Sequence, residues 1–352
     1  MAVRPLLFAV AAALLCAALP PSVRLGRAAE PPRAAGDREP AVQVTIKEWV
    51  LPTPGSHPHD PLAAADGSIW YTGQMANLLG RLDPKTGGFK EYRLKTPDSG
   101  PHGLAADRQG DVWFTASFKG YIGKLDPGTG AVTEYRLADP AARDPHTPVF
   151  DRTGTLWFTV MGANMVGRLS PPTGQIELRR VPTRGALPYG IAVNAEGVPF
   201  FAEFGSNKVA SIDPESMAIH EYRLPNEDSR PRRLVITGDD AIWFTDYGRG
   251  YLGRFDPKTG ETKEWPSPGG SGSGPYGIAA AKNGIWYSES GVSPNTLVRF
   301  DPKRETFQTW QIPSGGGVVR NMMATSDGNL VLACSGVNRV ALVEVRSLTE
   351  SL

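Results

Sequence analysis

The sequence is poor in several features that commonly define a class of protein. Only two of its 352 residues are cysteine, and one of them, Cys16, lies in an N-terminal apolar segment. If that segment is removed, Cys334 is left without a partner, so packing and not a disulfide must stabilise the mature chain. Lys plus Arg (37) almost equals Asp plus Glu (36). That balance argues against a nucleic-acid-binding protein and gives no support to a polybasic membrane anchor.

Long helices are also disfavoured. The chain contains 40 Gly and 32 Pro, which interrupt a helix at a cost of about 1 and about 3 kcal/mol each. Eight Trp, ten Tyr and thirteen Phe supply enough apolar surface for a core, which excludes a disordered chain. The length allows two domains of roughly 150 residues or one large all-β domain.

The N-terminal apolar run is too short to cross a membrane comfortably. It covers residues 5–19 and follows Arg4, whereas a membrane span needs about 20 apolar residues. This pattern is typical of a secretory signal. We predict a cleaved signal peptide at residues 1–29, a linker at 30–41, and a periplasmic or secreted mature chain without a membrane span.

Three details of this segment stay open. Cleavage fits after Ala18 or near Ala28-Ala29. Ala13-Leu-Leu-Cys16 resembles a lipoprotein box, although Leu15 stands where a small residue is expected. An uncleaved anchor is the remaining alternative.

An aromatic pair recurs every 43 or 44 residues along the chain. The clear copies are Trp70-Tyr71, Trp113-Phe114, Trp157-Phe158, Phe200-Phe201, Trp243-Phe244 and Trp286-Tyr287, and a degenerate seventh is Leu330-Val331. A proline precedes each of the first six pairs, and a phrase such as Gly80-Arg-Leu-Asp-Pro84 follows several of them. Markers that keep the same spacing from one another over seven copies indicate a repeat architecture.

Each repeat contains four short runs with β propensity. In the second repeat they are residues 102–107, 111–116, 121–125 and 132–137, separated by Asp-x-x-Gly and Asp-Pro turns. Four antiparallel strands in about 43 residues are one blade of a β-propeller. We therefore predict an all-β, seven-bladed propeller over residues 42–346, followed by a tail at 347–352.

The outer-strand motif also predicts how the ring closes. It recurs as Glu-Tyr-Arg-Leu at residues 91–94, 134–137 and 221–224, and it occurs once before the first repeat, as Lys47-Glu-Trp. The seventh repeat stops after its third strand, near Val345. The N-terminal strand should therefore become the outer strand of the last blade, which removes an open edge between the first and last blades.

The first strand of a propeller blade lines the central axis, so the residue after each proline marker should face one mouth of the channel. We call these seven residues the axial ring: His59, His102, His146, Tyr189, Arg232, Tyr276 and Arg320. A second ring follows three residues after the start of each aromatic pair: Gly73, Ala116, Val160, Glu203, Asp246, Glu289 and Ala333. Polar groups gathered at a channel mouth predict a binding site.

Three chemical roles follow from these two rings. The histidines of the axial ring, His59, His102 and His146, are candidate catalytic bases because imidazole is neutral near pH 7. Tyr189, Arg232, Tyr276 and Arg320 are candidate substrate-binding residues. Three carboxylates a few ångströms apart would repel one another or capture Mg²⁺ or Ca²⁺, so Glu203, Asp246 and Glu289 are candidate metal ligands.

Several catalytic motifs are absent from the sequence. There is no Gly-x-Ser-x-Gly, His-Glu-x-x-His or Cys-x-x-Cys phrase. The stretch Gly269 to Gly274 is glycine-rich, but neither Lys-Ser/Thr nor a helical pattern follows it, so no nucleotide cofactor is expected. We expect a monomer that takes a small-molecule ligand at the axial mouth.

Several phrases of the repeat resemble those of the streptogramin B (virginiamycin B) lyase family. The clearest are Pro101-His-Gly-Leu104, Asp111-Val-Trp-Phe-Thr115 and Tyr121-Ile-Gly-Lys-Leu125. The resemblance covers nearly all of residues 42–345 and implies a seven-bladed propeller. It also implies a Mg²⁺-dependent elimination that opens a cyclic depsipeptide ester, in which a histidine removes the proton α to the carbonyl and the metal polarises that carbonyl.

The chain departs from this family at the residues that would do the chemistry. The family's base lies in a Glu-Pro-His-Gly phrase that opens the last blade, where this chain has Val318-Val-Arg-Asn321. Arg320 therefore replaces the histidine, Val318 replaces one metal-binding Glu, and Ala333-Cys334 stands where the second such Glu is expected. Tyr276 and His59 replace a substrate-contacting His and Tyr respectively.

Two functions are therefore predicted as alternatives. One is a carbon–oxygen lyase of altered chemistry, or a lactonase-like hydrolase, with a histidine as base. The other is a non-catalytic propeller that binds a ligand or another protein at its mouth.

Overall fold

A computed structural model describes residues 42–282 and 284–347, which form 28 β-strands and three short 3₁₀ turns. Strand β1 is Val42–Val50. Blades 1 and 2 contain β2 (Pro58–Ala63), β3 (Ile69–Gly73), β4 (Leu78–Leu82), β5 (Phe89–Arg93), β6 (Pro101–Ala106), β7 (Val112–Ala116), β8 (Tyr121–Leu125) and β9 (Val132–Arg136). Blades 3 and 4 contain β10 (Pro145–Phe150), β11 (Leu156–Val160), β12 (Met165–Ser170), β13 (Gln175–Arg180), β14 (Pro188–Val193), β15 (Pro199–Glu203), β16 (Lys208–Ile212) and β17 (Ile219–Arg223).

The second half of the chain continues the same pattern. Blade 5 contains β18 (Pro231–Ile236), β19 (Ile242–Asp246), β20 (Tyr251–Phe255) and β21 (Thr262–Pro266). Blade 6 contains β22 (Pro275–Ala281), β23 (Gly284–Glu289), β24 (Thr296–Asp301) and β25 (Thr306–Gln311). Blade 7 contains β26 (Val319–Ala324), β27 (Leu330–Cys334) and β28 (Arg339–Ser347), and the 3₁₀ turns are Gln74–Ala76, Met161–Ala163 and Ser335–Val337.

The strands form seven antiparallel sheets of four strands each, and in six of them the strands follow one another in chain order. The seventh sheet has the order β1-β28-β27-β26. The prediction of a seven-bladed, all-β propeller is therefore confirmed. In blade 2 the predicted strand limits differ from the observed ones by one residue at several ends. For example, the first strand begins at the proline marker Pro101 itself and not at His102.

The N-terminal strand closes the ring as the outer-strand motif predicted. β1 pairs with β28 in unbroken register from Val42 opposite Ser347 to Val50 opposite Arg339. The side chain of Glu48 accepts hydrogen bonds from the backbone of Ser314 at 2.8 Å and from the Ser314 hydroxyl. Glu221 accepts from the backbone and the hydroxyl of Thr183 in the same way at another seam. The closing seam thus reuses the chemistry of the seams within the chain.

The core lies between the blades. Trp70 of blade 1 packs in one buried cluster with Leu104, Val112 and Phe114 of blade 2, and it stacks on Tyr92 of its own outer strand at 5.4 Å. Trp113, Trp157, Trp243 and Trp286 occupy the same place in their blades and are 0–3% exposed. The aromatic markers are therefore the packing residues that hold neighbouring blades together.

A glycine in the third strand makes room for the aromatic side chain of the second. A Cβ added at Gly123 would lie 2.1 Å from the ring of Phe114, and one at Gly80 would lie 1.9 Å from that of Tyr71. The repeated glycine of the Ile-Gly-Lys-Leu phrase therefore serves packing.

Two predictions fall on other parts of the chain. The signal peptide (1–29) and the linker (30–41) lie outside the described residues, as does nearly all of the tail. Over the residues that are described, none of the helical segments has the length and apolar character that a membrane crossing requires.

Ring closure by β1 predicts a specific pattern of stability losses. Ile46 packs its side chain against the core of blade 7, whereas the neighbouring Lys47 is exposed. Ile46→Ala should lower the free energy of unfolding by about 2 kcal/mol, and Lys47→Ala by less than about 0.5 kcal/mol. Denaturant unfolding of both variants measures this, and equal effects would contradict closure through the buried face of β1.

Candidate functional site

The axial ring is assembled because every inner strand starts at the same face of the disc. The residue before the inner strand has a positive φ, between 49° and 80°, in six blades: His57, Gly100, Asp144, Leu187, Gly274 and Val318. This left-handed step turns the chain from the outer edge of one blade to the axis of the next. Glycine adopts it freely, whereas the β-branched Val318 does so under strain.

Hydroxyl groups in the second strands fix the ring residues relative to one another. Thr115 accepts a hydrogen bond from the backbone of Gly103 in its own blade at 2.8 Å and donates one to the carbonyl of His146 in the next blade at 2.7 Å. Thr72, Thr159, Thr245 and Ser288 bridge their blades in the same way. The Thr and Ser residues that make these hydrogen bonds are 0% exposed, so the bonds that hold the site are shielded from water.

The three histidines form a continuous stack with Tyr189. Ring centroids are 3.5 Å apart for His59 and His102, 3.8 Å for His102 and His146, and 3.9 Å for His146 and Tyr189. Burial is the main cause that holds the pKa of each histidine well below its usual range, followed by nearby arginines for His59. The imidazoles are therefore neutral at pH 7, as expected for candidate bases.

The histidines differ in what their ring nitrogens contact. His59 Nδ1 lies 2.9 Å from a carboxylate oxygen of Asp60, and His146 Nδ1 lies 2.9 Å from the hydroxyl of Thr147. His102 Nδ1 is buried and has no hydrogen-bond partner among the described residues. Because a carboxylate only accepts, the neutral His59 donates its Nδ1 proton to Asp60 and keeps Nε2 as an acceptor.

A buried ion pair spans the channel beside this stack. Arg233 of blade 5 donates to Asp60 of blade 1 at 2.7 Å and, through Nε, to the carbonyl of Arg320 at 2.9 Å. Asn321 of blade 7 donates to the other Asp60 oxygen at 2.9 Å. Both charged partners are nearly inaccessible, with side chains 4% and 3% exposed. Asp60 therefore joins three blades and orients His59.

Three of the four predicted substrate-binding residues, Tyr189, Arg232 and Tyr276, are in contact next to the histidine stack. The hydroxyl groups of Tyr189 and Tyr276 hydrogen-bond to each other, and Arg232 donates to the Tyr189 hydroxyl at 3.3 Å. Tyr189 and Tyr276 are buried, whereas Arg232 and Arg320 are half-buried. The arginines are thus the charged members of the axial ring that remain open to solvent.

The three predicted carboxylate ligands do not form a group of this kind. Glu289 accepts hydrogen bonds from Ser267, Gly269 and Thr296. Asp246 accepts from the backbone of Arg230 at 2.8 Å and pairs with Arg249 at 3.3 Å, while Glu203 accepts from Ser206 at 2.7 Å. Each carboxylate lies at the rim end of its own second strand and accepts hydrogen bonds there, and none of the three is in the close group of metal-type ligands found among the described residues. Their role as metal ligands stays a prediction.

The last member of the second ring is corrected. In the first six blades the proline marker pairs with the predicted residue, but in blade 7 Val319 pairs with Cys334 and not with Ala333. Cys334 is fully buried.

One group of close metal-type ligands does occur among the residues that the structure describes. Ligand atoms of His59, Asp60 and His102 lie within 4.8 Å of one another. However, the oxygens of Asp60 already accept from Arg233, His59 and Asn321, and the Arg233 guanidinium would repel a cation. This group is better described as a hydrogen-bonded network than as a metal site.

Sequence reasoning missed four residues of the mouth. Arg233 and Asn321 follow axial-ring residues directly, and Phe204 and Tyr247 follow the carboxylates Glu203 and Asp246. A search one position beyond each ring would have found them. The seam hydroxyls had a clearer signal, because Thr or Ser stands two residues after the start of five aromatic pairs.

A surface cleft lies away from this mouth. It has a volume of about 780 Å³, lies between blades 5 and 6 and is lined by Trp243, Trp265, Arg254 and Lys263 among others. Its walls include the turn between the first and second strands of blade 5, which is at the opposite face of the disc.

A closed seven-bladed propeller with a polar axial mouth is the class of protein that these features define. The family model described as virginiamycin B lyase matches residues 39–204 and 175–350, so the chain belongs to the virginiamycin B lyase family. The two matches overlap, as a repeated unit allows.

Solved structures agree with this assignment. A streptogramin B lyase is 28% identical, with a TM-score of 0.79 over 86% of this chain and 98% of that one. Virginiamycin B lyase from Staphylococcus aureus is 24% identical, with a TM-score of 0.78 over 86% of this chain and 99% of that one, and so shares the fold. An inactive histidine variant of that enzyme with quinupristin is 23% identical, with a TM-score of 0.77 and the same coverage. No curated protein matches the chain.

Burial of neutral histidines predicts a pH-dependent stability. The unfolded chain binds protons near pH 6.5 that the buried imidazoles do not bind, so the free energy of unfolding should fall as the pH drops below about 6.5. His102→Phe keeps the stack and should reduce that slope by about 0.8 kcal/mol per pH unit between pH 5.5 and 7, where the unfolded imidazole is partly protonated. His220→Phe, at an exposed position, should leave it unchanged.

Denaturant unfolding between pH 5.5 and 7 measures this slope. Glu203 acts with the opposite sign in that range, because burial raises its pKa to about 7, but its contribution cancels when variant and wild type are compared. An unchanged slope in His102→Phe would show that His102 binds protons equally in the folded and unfolded states, which would contradict the lowered pKa.

Proposed function

We propose that this propeller binds a small cyclic ester, of the depsipeptide or lactone type, at the mouth of its central channel. One observation carries the proposal: six side chains from six blades are in contact there as a preformed group of imidazole, phenol and guanidinium side chains. Family membership supports the ligand class, as does the presence of quinupristin in a structure of a relative.

The accessible residues at the mouth offer the kinds of contact that such a ligand needs. Tyr247 and Phe204 offer aromatic faces beside Arg232, with the ring of Tyr247 at the solvent boundary (36% exposed). Arg232 and Arg320 offer donors for ester carbonyl oxygens. A largely apolar surface with a few convergent polar groups is the usual form of a small-molecule site.

The metal that the family implies does not fit this chain. The positions that would supply its carboxylates hold Val318 and Ala333-Cys334, and the latter two are 0% exposed. None of these side chains offers the oxygen ligand that Mg²⁺ requires. Arg320, which stands in the place of the base, stays protonated near neutral pH. We therefore derive no metal-assisted step.

Titration calorimetry with quinupristin and with 3,4-dihydrocoumarin tests the proposal. We expect saturable binding of at least one of them, unchanged by EDTA and weakened about tenfold by Tyr247→Ala through loss of an aromatic face. Tyr135→Ala, which removes an aromatic ring from the outer strand of blade 2, should have no effect on binding. Equal affinity in Tyr247→Ala and wild type would place the ligand elsewhere.

A second candidate function, a carbon–oxygen lyase or lactonase with a histidine base, is favoured by the contact between His59 and Asp60. The carboxylate fixes the tautomer, so that Nε2 of His59 is free to accept a proton. Elimination would leave the mass of the ring-opened product unchanged, and hydrolysis would add one water. Mass spectrometry of the same mixtures separates both from simple binding, in which the ligand is recovered intact.

We also propose that the chain is exported. Arg4 and the apolar residues 5–19 support this proposal. N-terminal sequencing of protein from the periplasm or medium should find a start between residues 19 and 30, whereas a chain that begins at Met1 in the cytosol would contradict export.

A further inference from the structure

The guanidinium group of Arg232 is enclosed by aromatic rings. Its carbon lies 3.7 Å from the centroid of Tyr276, 4.3 Å from Tyr247, 4.7 Å from Phe204 and 4.9 Å from Tyr189. These rings come from three blades: Tyr189 and Phe204 from blade 4, Tyr247 from blade 5, which also carries Arg232, and Tyr276 from blade 6. Aromatic faces attract a cation, but they offer no lone pairs for its N–H groups.

Arg232 has no negative partner among the described residues. The bond to the Tyr189 hydroxyl, at 3.3 Å, is the single hydrogen bond that its guanidinium makes within them. Its Nε is buried and unpartnered. The next residue, Arg233, shows the contrast, because it pairs with Asp60 at 2.7 Å. A partly buried cation that lacks a counter-charge is poorly solvated, so this arrangement favours an incoming anion.

Arg320 repeats the same condition two blades further on. Its side chain is half-buried and makes neither a hydrogen bond nor an ion pair within the part of the chain that the structure describes. Arg233, the chain neighbour of Arg232, donates to the backbone carbonyl of Arg320 at 2.9 Å, so the strands that carry the two arginines meet across the same mouth. Asp60 pairs with Arg233, and the histidines are neutral, so the axial ring and the residues directly after it carry more positive than negative charge.

We propose that this mouth prefers the ring-opened, carboxylate form of an aromatic hydroxy acid to the cyclic ester itself. The carboxylate would accept hydrogen bonds from Arg232 and Arg320, and the aromatic ring of the ligand would lie against Tyr247 and Phe204. This inference rests on the proposed function and adds the charge state of the ligand. The family phrase places a histidine where Arg320 stands, so the preference belongs to this chain's own residues.

The chemical reason is the difference between an ester and an acid as acceptors. An ester carbonyl is neutral and offers one good acceptor atom. A carboxylate offers two oxygens and a full charge, and its hydrogen bonds to guanidinium are shorter and roughly twice as strong as neutral ones. Excess positive charge at the mouth also speeds the arrival of an anion, an effect that salt weakens.

A matched pair of probes tests the inference. 3,4-Dihydrocoumarin is the lactone of 3-(2-hydroxyphenyl)propanoate, so the two share one carbon skeleton and differ in charge at pH 7. By calorimetry we expect the acid to bind at least tenfold more tightly than the lactone, and more weakly as the salt concentration rises. The neutral amide of the same acid should behave like the lactone.

Three methionine variants locate the binding site. Arg232→Met and Arg320→Met should each weaken binding of the acid at least tenfold and that of the lactone less than threefold. Arg93→Met, at an exposed position on β5, should change neither. If Arg232→Met does not fold, as thermal unfolding would show, Arg320→Met and the comparison between acid and amide still decide the question.

The outcomes separate this inference from the proposed function. Lactone binding that equals or exceeds acid binding, and that Tyr247→Ala weakens, would overturn the carboxylate preference and leave the proposed site intact. Acid binding that survives both arginine substitutions would also overturn the preference. Failure of quinupristin, lactone and acid to bind would overturn both proposals.

Discussion

Closure of the seven-bladed ring is the constraint on which the rest of the molecule depends. The pairing of β1 with β28 joins the two ends of the described chain, and Glu48 accepts from the backbone and hydroxyl of Ser314 as Glu221 does from Thr183 at another seam. Because the ring is closed, each inner strand has a fixed place around the axis. Residues as far apart in sequence as Asp60 and Arg233 therefore meet at hydrogen-bond distance.

Hydrogen bonds between neighbouring blades and an ion pair across the channel hold the mouth rigid. Seam hydroxyls such as Thr115 tie the backbone of one ring residue to the next blade, and the ion pair of Asp60 with Arg233 spans the channel. Removing one partner of such a buried pair typically costs about 3–5 kcal/mol. A site fixed in this way needs little ordering when it binds, and the energy of each contact with a ligand is therefore retained as affinity.

The sequence allowed most of the fold to be predicted and only part of the site. The aromatic pairs and prolines that recur at a constant spacing predicted the blades, the closure and the axial ring, because each repeat of a propeller occupies one position around the axis. Side-chain partners were not predictable in this way. Glu289 accepts hydrogen bonds from Ser267 and Thr296 at its own seam. The guanidinium of Arg232 packs among aromatic rings, and the repeat pattern did not predict two of them, Phe204 and Tyr247. Such choices depend on rotamers and on neighbours from other blades.

The chain thus keeps the fold of the virginiamycin B lyase family and places two arginines without carboxylate partners at the mouth where the family's chemistry would be expected. The most direct measurement is a crystal structure of the protein with 3-(2-hydroxyphenyl)propanoate. The account predicts density for the carboxylate between Arg232 and Arg320, with the aromatic ring of the ligand against Tyr247. Density only in the cleft lined by Trp243 and Trp265 on the opposite face would contradict it.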